Sequence, residues 1–253
     1  MGEAILSCLV ASQIYLPSDI CVSDPMSERR DILAKKYGVQ VTPNNLVAAE
    51  AEIMLLAVKP QSLNTAAIAL ANTSASCIVS IMAGVTLAQL EAMFPSKSII
   101  RAMPNTPAQV GAGVTAIAAN ALVTIQQLEA VCKIFRAIGT VVEVAESLMN
   151  AVTGLSGSGP AYVALMVESM ADGGVAAGLP RAIAMQLALQ TVLGTAKLLD
   201  ETKLHPALLK DQVTSPAGTT IAAIAQLEKA GLRSAMIEAV LAATRRADEL
   251  GKL

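Results

Sequence analysis

The stretch Ile53-Met54-Leu55-Leu56-Ala57-Val58 is fully apolar, and it decides the fold class. A short continuous apolar run is typical of a parallel strand that is buried on both faces of a sheet. This run lies in a series of β-rich segments that alternate with helical segments over the first half of the chain. Repeated βα units predict an α/β domain, with a mostly parallel sheet and helices on both of its faces.

The second half of the chain has a different pattern. After about residue 146, apolar residues recur with helical periodicity, and no segment has the composition of a convincing strand. Pro residues at the starts of these segments, and Gly178 and Gly231 at the ends of two of them, mark helix boundaries. We therefore predict two domains, an α/β domain at 1–146 and an all-α domain at 147–253.

Composition excludes several classes of protein. With 253 residues, of which 54% are hydrophobic, the chain can fill a sizeable core. The net charge is −2 and Lys/Arg clusters are absent from the sequence, which argues against nucleic acid or an anionic membrane as a partner. Mean hydropathy is +0.56, yet Asn, Pro and hydroxyl residues interrupt the uncharged segments 60–90 and 102–128, so neither is predicted to span a membrane.

Metal and disulfide sites are also not predicted. The four cysteines, at positions 8, 21, 77 and 132, are widely spaced, and His205 is the only histidine of the sequence. This pattern matches neither a zinc site nor a disulfide framework. Reduced thiols indicate a cytoplasmic protein, and no basic and apolar leader is visible at the N-terminus.

Two loops follow candidate strands in a form that suits a ligand. An α/β sheet binds its ligand at the carboxyl ends of its strands. The segments Ala57-Val58-Lys59-Pro60 and Met82-Ala83-Gly84-Val85 both lie at such ends. Small residues let a ligand approach the backbone closely, and Lys59 could face a phosphate or a ribose. Taken alone, a surface Lys and an ordinary turn Gly explain these loops equally well.

The stretch VTSPAGTT, residues 213–220, precedes the apolar run 221–224. Ser215 followed by Pro216 predicts a helix N-cap and first helical residue, which would leave the amides of 217–219 without helical partners. A helix end of this kind attracts anions. The alternative is a well-capped helix with no further role.

Five stretches, taken in order and spacing, resemble the pyrroline-5-carboxylate reductase family. They are AVKP at 57–60, AGVT at 83–86, RAMPNTP at 101–107, LSGSGPAY at 155–162 and HP…KDQVTSPAGTT at 205–220. The resemblance runs from Gly2 to Leu250. It implies a Rossmann-type domain followed by an all-α domain that binds substrate and forms a homodimer or higher homo-oligomer.

The resemblance also implies a reaction and its coenzyme. Family members reduce the cyclic imine 1-pyrroline-5-carboxylate to L-proline with NADPH or NADH, a chemistry that requires no metal. Asn45 and Ser23 match positions on the adenosine side, Ala83 and Gly84 lie beside the nicotinamide half, and Gly2 belongs to the phosphate loop. The remaining residues implied to line the coenzyme are Ala57, Val58, Lys59 and Pro60.

On the substrate side the resemblance implies a carboxylate cradle. Ser215, Gly218, Thr219 and Thr220 match the loop that holds the substrate. The imine nitrogen must gain a proton, and the Thr220 hydroxyl is the candidate catalytic donor or relay. The alternative for Thr220 is a β-branched residue that only packs in the first turn of a helix. For Ser158, Tyr162 and His205 we favour structural roles, with His205 capping or packing before Pro206.

Two departures from the family pattern stand out. Ala217 occupies the place of the first glycine in a Gly-Gly pair, which tests whether φ is negative there, because a positive φ would cost Ala about 1 kcal/mol. The chain opens with Met1-Gly2-Glu3-Ala4-Ile5, which resembles the end of the family's GxGNMxxA loop. The first, central strand and the leading glycines are therefore expected to be missing.

Three questions stay open at the level of sequence. A β-hydroxyacid dehydrogenase shares the two-domain plan but requires a base, commonly a Lys on the interdomain helix, and segment 148–162 contains no Lys. A truncated helical oligomer without catalytic activity is a second alternative. For the coenzyme, Asp24 would repel a 2′-phosphate, whereas four nearby residues could bind one: Ser23, Ser27, Arg29 and Arg30.

Overall fold

The α/β part of the molecule contains all strands found in the described residues. The computed structural model describes residues 1–58, Leu70 and residues 73–251. The strands are β1 Cys21–Ser23, β2 Gln40–Thr42, β3 Ile53–Leu56, β4 Cys77–Ser80, β5 Ser98–Pro104, β6 Gly113–Ala119 and β7 Gly139–Glu143. β3 lies within the apolar run 53–58 from which a buried strand was predicted.

The strands form a mostly parallel arrangement, as predicted. β3 to β7 form one five-stranded sheet in sequence order, in which only the β5–β6 pair is antiparallel. The register pairs Ile53 with Cys77 and Cys77 with Ser98. β1 and β2 form a separate parallel pair. The Rossmann-type fold is confirmed, and the expectation that a first strand is missing stays a prediction.

Eleven α-helices are described in the same residues. They are α1 Gly2–Ala11, α2 Ser27–Tyr37, α3 Asn45–Ala48, α4 Leu87–Met93, α5 Ile125–Arg136, α6 Met149–Val152, α7 Gly159–Ala176, α8 Arg181–Thr202, α9 Pro206–Gln212, α10 Thr219–Lys229 and α11 Leu232–Leu250. Local signals set several starts. Thr86 and Thr124 cap α4 and α5 in capping boxes with Gln89 and Gln127, and His205 Nδ1 caps α9 by accepting from Ala207 N, so its predicted structural role is confirmed.

Both faces of the five-stranded sheet are covered by helices. Neighbouring residues of one strand point to opposite faces, so Ile78 and Ile99 face one cluster while Val79 and Ile100 face the other. The first cluster contains Leu87, Leu90 and Phe94 from α4 and its C-terminal flank. The second contains Ile5 and Leu9 from α1 together with Val131 and Phe135 from α5. Burial on both faces explains the continuous apolar runs from which the parallel sheet was predicted.

The chain divides into two compact units. One contains residues 1–158 and 242–253 and holds both sheets, and the other contains residues 159–241. The second unit is helical throughout, and no strand occurs between residues 159 and 241, all of which the structure describes. The predicted division into 1–146 and 147–253 stays a prediction.

The helical unit has a small buried interior and a large apolar surface. Val167 and Ala171 of α7 pack against Ala184 and Ala188 of α8 as its buried cluster. Many of its other large apolar side chains are exposed, among them Leu165, Met170, Ile183, Leu187, Leu189, Leu193 and Ile237. By length and composition alone, α8 would also satisfy the test for a membrane span. Exposed apolar area on this scale indicates a surface that is covered in the assembled protein.

Thr115 on β6 provides a test of the sheet's packing. Its Oγ1 atom is buried without a hydrogen-bond partner among the described residues, so Thr115→Val should increase the free energy of unfolding by about 1 kcal/mol. Thr73 is the matched control, because its buried hydroxyl donates to Ala49 O at 2.7 Å and accepts from Ala75 N at 3.1 Å. Thr73→Val should therefore destabilise the protein. Urea unfolding at one protein concentration measures the stability of both variants. A destabilised Thr115→Val would contradict the conclusion that the Thr115 hydroxyl has no partner.

Candidate active site

Small, exposed residues follow two neighbouring parallel strands at one edge of the sheet. The last register pair of β3 and β4 is Leu56 with Ser80, and Ile81 N donates to Leu56 O at 3.2 Å. Ala57 and Val58 follow β3, and Ala83 and Gly84 follow β4, so all four lie at the same edge. Both alanines and Val58 are exposed. The geometry gives an open backbone surface where α/β sheets bind ligands.

The first helix begins beside this edge. Gly2 is the first residue of α1, and a Cβ added to it would lie 3.1 Å from Ala57 Cβ. Ile5 N makes the first helical hydrogen bond, to Met1 O. Met1 is the N-cap, and its side chain accepts no hydrogen bond from the amides that precede Ile5. A helix start with free amides favours an anionic ligand. The structure thus brings together two predicted coenzyme residues that are 55 positions apart in the sequence.

A second pair of predicted coenzyme residues meets at the ends of β1 and β2. Ser23 Oγ donates to Asn45 Oδ1 at 2.6 Å. The neighbouring Asn44 caps α3, because its Oδ1 accepts from Leu46 N at 3.0 Å. Both side chains that the family resemblance assigns to the adenosine side are therefore held in one contact.

The charged residues near Ser23 are largely engaged with the protein itself. Arg29 and Lys36 pair with Glu3, and the Tyr37 hydroxyl donates to the same carboxylate. Hydrogen bonds from Tyr37, Arg29 and Lys36 lower the pKa of the Glu3 carboxyl to about 2, so Glu3 is ionised at neutral pH. Arg30 Nη1 donates to the carbonyls of Asp24 and Pro25 and fixes the loop after β1.

An ion pair between a buried arginine and a half-buried glutamate lies beside the helix that follows the loop of Ala83 and Gly84. Arg101 on β5 is only 4% exposed, and its Nη1 lies 3.4 Å from Glu146 Oε1. The same oxygen accepts from Leu87 N, the first residue of α4, at 2.5 Å. Burial lowers the pKa of the Arg101 guanidinium, and Glu146 opposes this change. The Glu146 carboxylate therefore pairs with the buried Arg101 and also accepts a hydrogen bond at the N-terminus of α4.

Asn105 joins two of the five stretches quoted from the sequence. It follows β5, and its Nδ2 donates to Ser156 O at 3.2 Å while its Oδ1 accepts from Val114 N at 2.9 Å. A Cβ added to Gly157 would lie 2.9 Å from Met103 Cε, so the two segments approach closely where position 157 has no side chain. RAMPNTP is thereby joined to residues 156 and 157 of LSGSGPAY, which belong to the first unit.

The VTSPAGTT segment does not have the predicted capping geometry. Gly218 N donates to Ser215 O at 3.1 Å, and Ala217 has a φ of 54°. Pro at the second position and a positive φ at the third are the pattern of a type II turn. Ser215 is therefore not the N-cap and Pro216 is not helical, because they form the first two positions of a turn that precedes α10. The test at Ala217 therefore gives a positive φ, at the cost expected for Ala.

The helix start lies three residues later than predicted. Gly218 is the N-cap of α10 and has no side chain to satisfy the first amides. The amides without helical acceptors are consequently those of 219–221, whereas the amide of Gly218 is used in the turn. A Cβ added to Gly218 would lie 2.3 Å from Ser215 Oγ. Ser215, Gly218, Thr219 and Thr220 therefore converge on one helix end, with Thr220 partly buried.

The family of the chain follows from two comparisons of sequence. Residues 146–250 match the family model described as pyrroline-5-carboxylate reductase dimerisation, and residues 1–84 match one described as NADP oxidoreductase, coenzyme F420-dependent. A pyrroline-5-carboxylate reductase of Synechocystis is 60% identical over 254 residues, which cover 100% of this chain and 95% of the relative. The Escherichia coli enzyme of the same name is 43% identical, with 100% and 95% covered.

The chain belongs to the pyrroline-5-carboxylate reductase family. Solved structures agree. The reductase of Coxiella burnetii has a TM-score of 0.93 and 37% identity, with 98% of this chain and 94% of that chain covered. The pyrroline carboxylate reductase of Plasmodium falciparum, solved with NADP bound, has a TM-score of 0.89 and 30% identity, with 99% and 94% covered. The predictions of family, fold class, reductase activity and nicotinamide coenzyme are thereby confirmed.

A dehydrogenase of another family, distinct from the β-hydroxyacid dehydrogenase alternative, shares only the fold. Prephenate dehydrogenase of Aquifex aeolicus has a TM-score of 0.55 at 10% identity, with 92% of this chain and 94% of that chain covered. A likeness at this level reflects the common two-domain plan. The family membership instead selects the imine reductases.

The predicted site residues fall into two groups. Gly2, Ser23, Asn45, Ala57, Val58, Ala83 and Gly84 belong to the first compact unit, and Ser215, Gly218, Thr219 and Thr220 belong to the second. Lys59 and Pro60 lie outside the described residues. The individual site assignments of both groups stay predictions.

Sequence reasoning missed three residues whose contacts lie next to the predicted site segments. Arg101 and Asn105 stand in RAMPNTP, which was used as a marker of the family without a role for either. A signal was present, because a charged residue inside an apolar strand requires a buried partner. Glu146 lies in no motif, and only the fold connects it to Arg101 and Leu87.

Proposed function

We propose that this chain reduces 1-pyrroline-5-carboxylate to L-proline, taking a hydride from NADPH or NADH at the edge formed by Gly2, Ala57, Ala83 and Gly84. The convergence of these small residues at one strand edge, in a chain of this family, carries the proposal. The C=N bond becomes a CH–NH unit, so its carbon gains the hydride and its nitrogen one proton.

The described residues fit a dinucleotide. Gly2 leaves room at the start of α1, and Ser23 and Asn45 are held together at the ends of β1 and β2. These residues would hold the pyrophosphate and the adenosine side, and Ala83 and Gly84 would lie beside the nicotinamide. When bound, the coenzyme supplies the hydride. The work of the chain is to align the two reactants, which by itself can account for much of the rate.

The start of α10 would hold the substrate. Amides at 219–221 and the Ser215 hydroxyl are donors suited to the carboxylate, and the helix N-terminus favours its negative charge. The Thr220 hydroxyl would deliver or relay the proton to the imine nitrogen. Family membership and the convergence of these groups at one helix end support the assignment.

Turnover tests the proposal directly. With pyrroline-5-carboxylate, the protein should oxidise NADPH or NADH and release an equal amount of proline. If the alternative of a helical oligomer without activity were correct, titration with NADPH would give no change in nicotinamide fluorescence. A folded protein with no turnover with either coenzyme would sink the enzyme proposal.

Substitution of Ser215 tests the carboxylate cradle. Ser215→Ala should raise KM for the imine about tenfold, which corresponds to one charge-assisted hydrogen bond of roughly 1.5 kcal/mol, while KM for the coenzyme stays unchanged. Thr214→Val is the control, because that hydroxyl donates to Lys210 O and should affect stability alone. An unchanged imine KM in Ser215→Ala would place the carboxylate elsewhere.

The helical half would form the assembly. We propose a cytoplasmic homodimer or larger homo-oligomer held by α7 to α11, whose exposed apolar side chains are otherwise uncovered. The match of residues 146–250 to a dimerisation family supports it, and four free cysteines suit a reducing compartment. Light scattering at micromolar concentration should give a multiple of the 26.0 kDa chain mass, and a monomer mass would refute the assembly.

A further inference from the structure

Two helices of the first unit have the same cap but not the same support. α4 and α5 both begin with a Thr-x-x-Gln capping box, formed by Thr86 with Gln89 and by Thr124 with Gln127. Only α4, among the hydrogen bonds of the described residues, has an additional side-chain acceptor at its first amide. That acceptor is Glu146 Oε1, which comes from 59 residues further along the chain. The difference is informative because α4 follows the loop of Ala83 and Gly84, whereas α5 follows no predicted site.

The extra acceptor is fixed from the sheet. Glu146 Oε1 lies 3.4 Å from Arg101 Nη1, and Arg101 is buried on β5. Met149, three residues after Glu146, is fully buried in the cluster that contains α4. Arg101 and the buried Met149 therefore restrain Glu146, whose side chain is 33% exposed. Since the carboxylate also bonds to Leu87 N, it fixes the end of the β4–α4 loop relative to β5.

The other side of the loop lies close to the end of α11. Gly84 has a φ of 79°, and the space where its Cβ would lie is 3.8 Å from the carbonyl carbon of Leu250 at the end of α11. This end of α11 is joined to α6 by a hydrogen bond from Asn150 to Asp248. The loop of four residues, 83–86, therefore lies between the end of α11 on one side and the Glu146 acceptor on the other.

We propose that Glu146 is a positioning residue for hydride transfer. It fixes the position of the β4–α4 loop against which the nicotinamide ring binds. This inference rests on the proposed function, because it takes Ala83 and Gly84 as neighbours of that ring. A negative charge suits the position because it compensates a buried cation and favours a helix N-terminus. Arg101 acts through Glu146, and neither residue is assigned a contact with substrate.

The test compares two double variants. Arg101→Met with Glu146→Ala removes the ion pair and the acceptor for Leu87 N, and it leaves no unpaired charge in the interior. Arg101→Met with Glu146→Gln removes the same charges but keeps an oxygen acceptor. The Ala variant should bind NADPH about tenfold more weakly and lose kcat, with KM for the imine unchanged. The Gln variant should recover most of both losses.

Controls separate positioning from loss of stability. Thr124→Ala removes the equivalent cap from α5 and should lower the melting temperature without changing the kinetics. Equal NADPH affinity and equal kcat in the two double variants would overturn the proposal, as would a matching kinetic loss in Thr124→Ala. If the Ala variant does not fold, Glu146→Asp, which retracts the carboxylate by one methylene, replaces it and should weaken NADPH binding.

Binding measurements keep the two proposals distinguishable. Fluorescence titration with NADPH reports on the loop even in a protein without turnover. A parent protein that binds NADPH but does not reduce pyrroline-5-carboxylate would refute the substrate assignment and leave the Glu146 comparison decisive. An active parent whose double variants bind NADPH equally well would refute only the role of Glu146.

Discussion

Thr220→Val should lower kcat by about 10²-fold or more, within the range for a positioned proton donor. Val keeps the shape of Thr and removes only the hydroxyl, so the fold and the coenzyme affinity should be retained. Thr220 is the second residue of α10, and the cap of that helix is Gly218, so the Thr220 hydroxyl is not required as a helix cap. Steady-state kinetics with pyrroline-5-carboxylate measure the effect.

The control for Thr220 is its nearest hydroxyl analogue. Thr220→Ser keeps the donor and should retain most of kcat, with a modest loss of stability. A purely packing role predicts the reverse order, with Val close to the parent and Ser impaired through the lost methyl group. A Thr220→Val enzyme with unchanged kcat would end the catalytic assignment and leave alignment alone to account for the reaction.

Gly139→Ala should destabilise the first unit by more than about 3 kcal/mol, above the usual range for overpacking. Gly139 and Gly113 are register partners at the start of β7 and β6, and Gly139 has a φ of 142°. A Cβ at position 139 would lie 1.9 Å from Gly113 O, a backbone atom that cannot rotate away. Urea unfolding, or the yield of folded protein, measures the loss.

A second glycine separates sterics from backbone strain. Gly111 also has a positive φ, 71°, but nothing lies within 4 Å of the position of its Cβ. Gly111→Ala should therefore cost only about 1 kcal/mol, the price of the left-handed conformation for Ala. Comparable losses in the two variants would contradict the steric explanation for Gly139.

Much of the fold could be predicted from local patterns. The apolar run 53–58 gave β3 because a strand buried on both faces carries no polar alternation. The starts of α4 and α5 are also marked locally, by Thr86 and Thr124, since a Thr three residues before a Gln satisfies the first amides within a single turn. These signals act over a few residues, so the sequence contains them in full.

The geometry at Ser215 could not be predicted in the same way. Ser-Pro suits the first two positions of a helix and also the first two positions of a turn. The choice depended on Ala217, which adopts a φ of 54° although Ala disfavours it. A Gly at that position would have indicated the turn. Because Ala217 is not a glycine, the sequence gives no local sign of the positive φ at that position.

Contacts between residues far apart in the sequence also could not be predicted. Glu146 and Leu87 are 59 residues apart, and no local pattern links a carboxylate to an amide that distant. Likewise, Ser23 and Asn45 could be assigned to one side of the coenzyme only through family resemblance. Their contact arises because β1 and β2 are parallel neighbours, which places the residues that follow them side by side.

The shallow interior of the helical unit links folding to association. Its buried cluster contains only Val167, Ala171, Ala184 and Ala188, whereas its large Leu, Ile and Met side chains lie outside. A lone chain would thus bury too little apolar area there to offset the entropy of ordering five helices. In the proposed assembly, other copies of the chain supply the missing free energy. Mass action would then govern whether this half is folded, and dilution would act on it as a denaturant does.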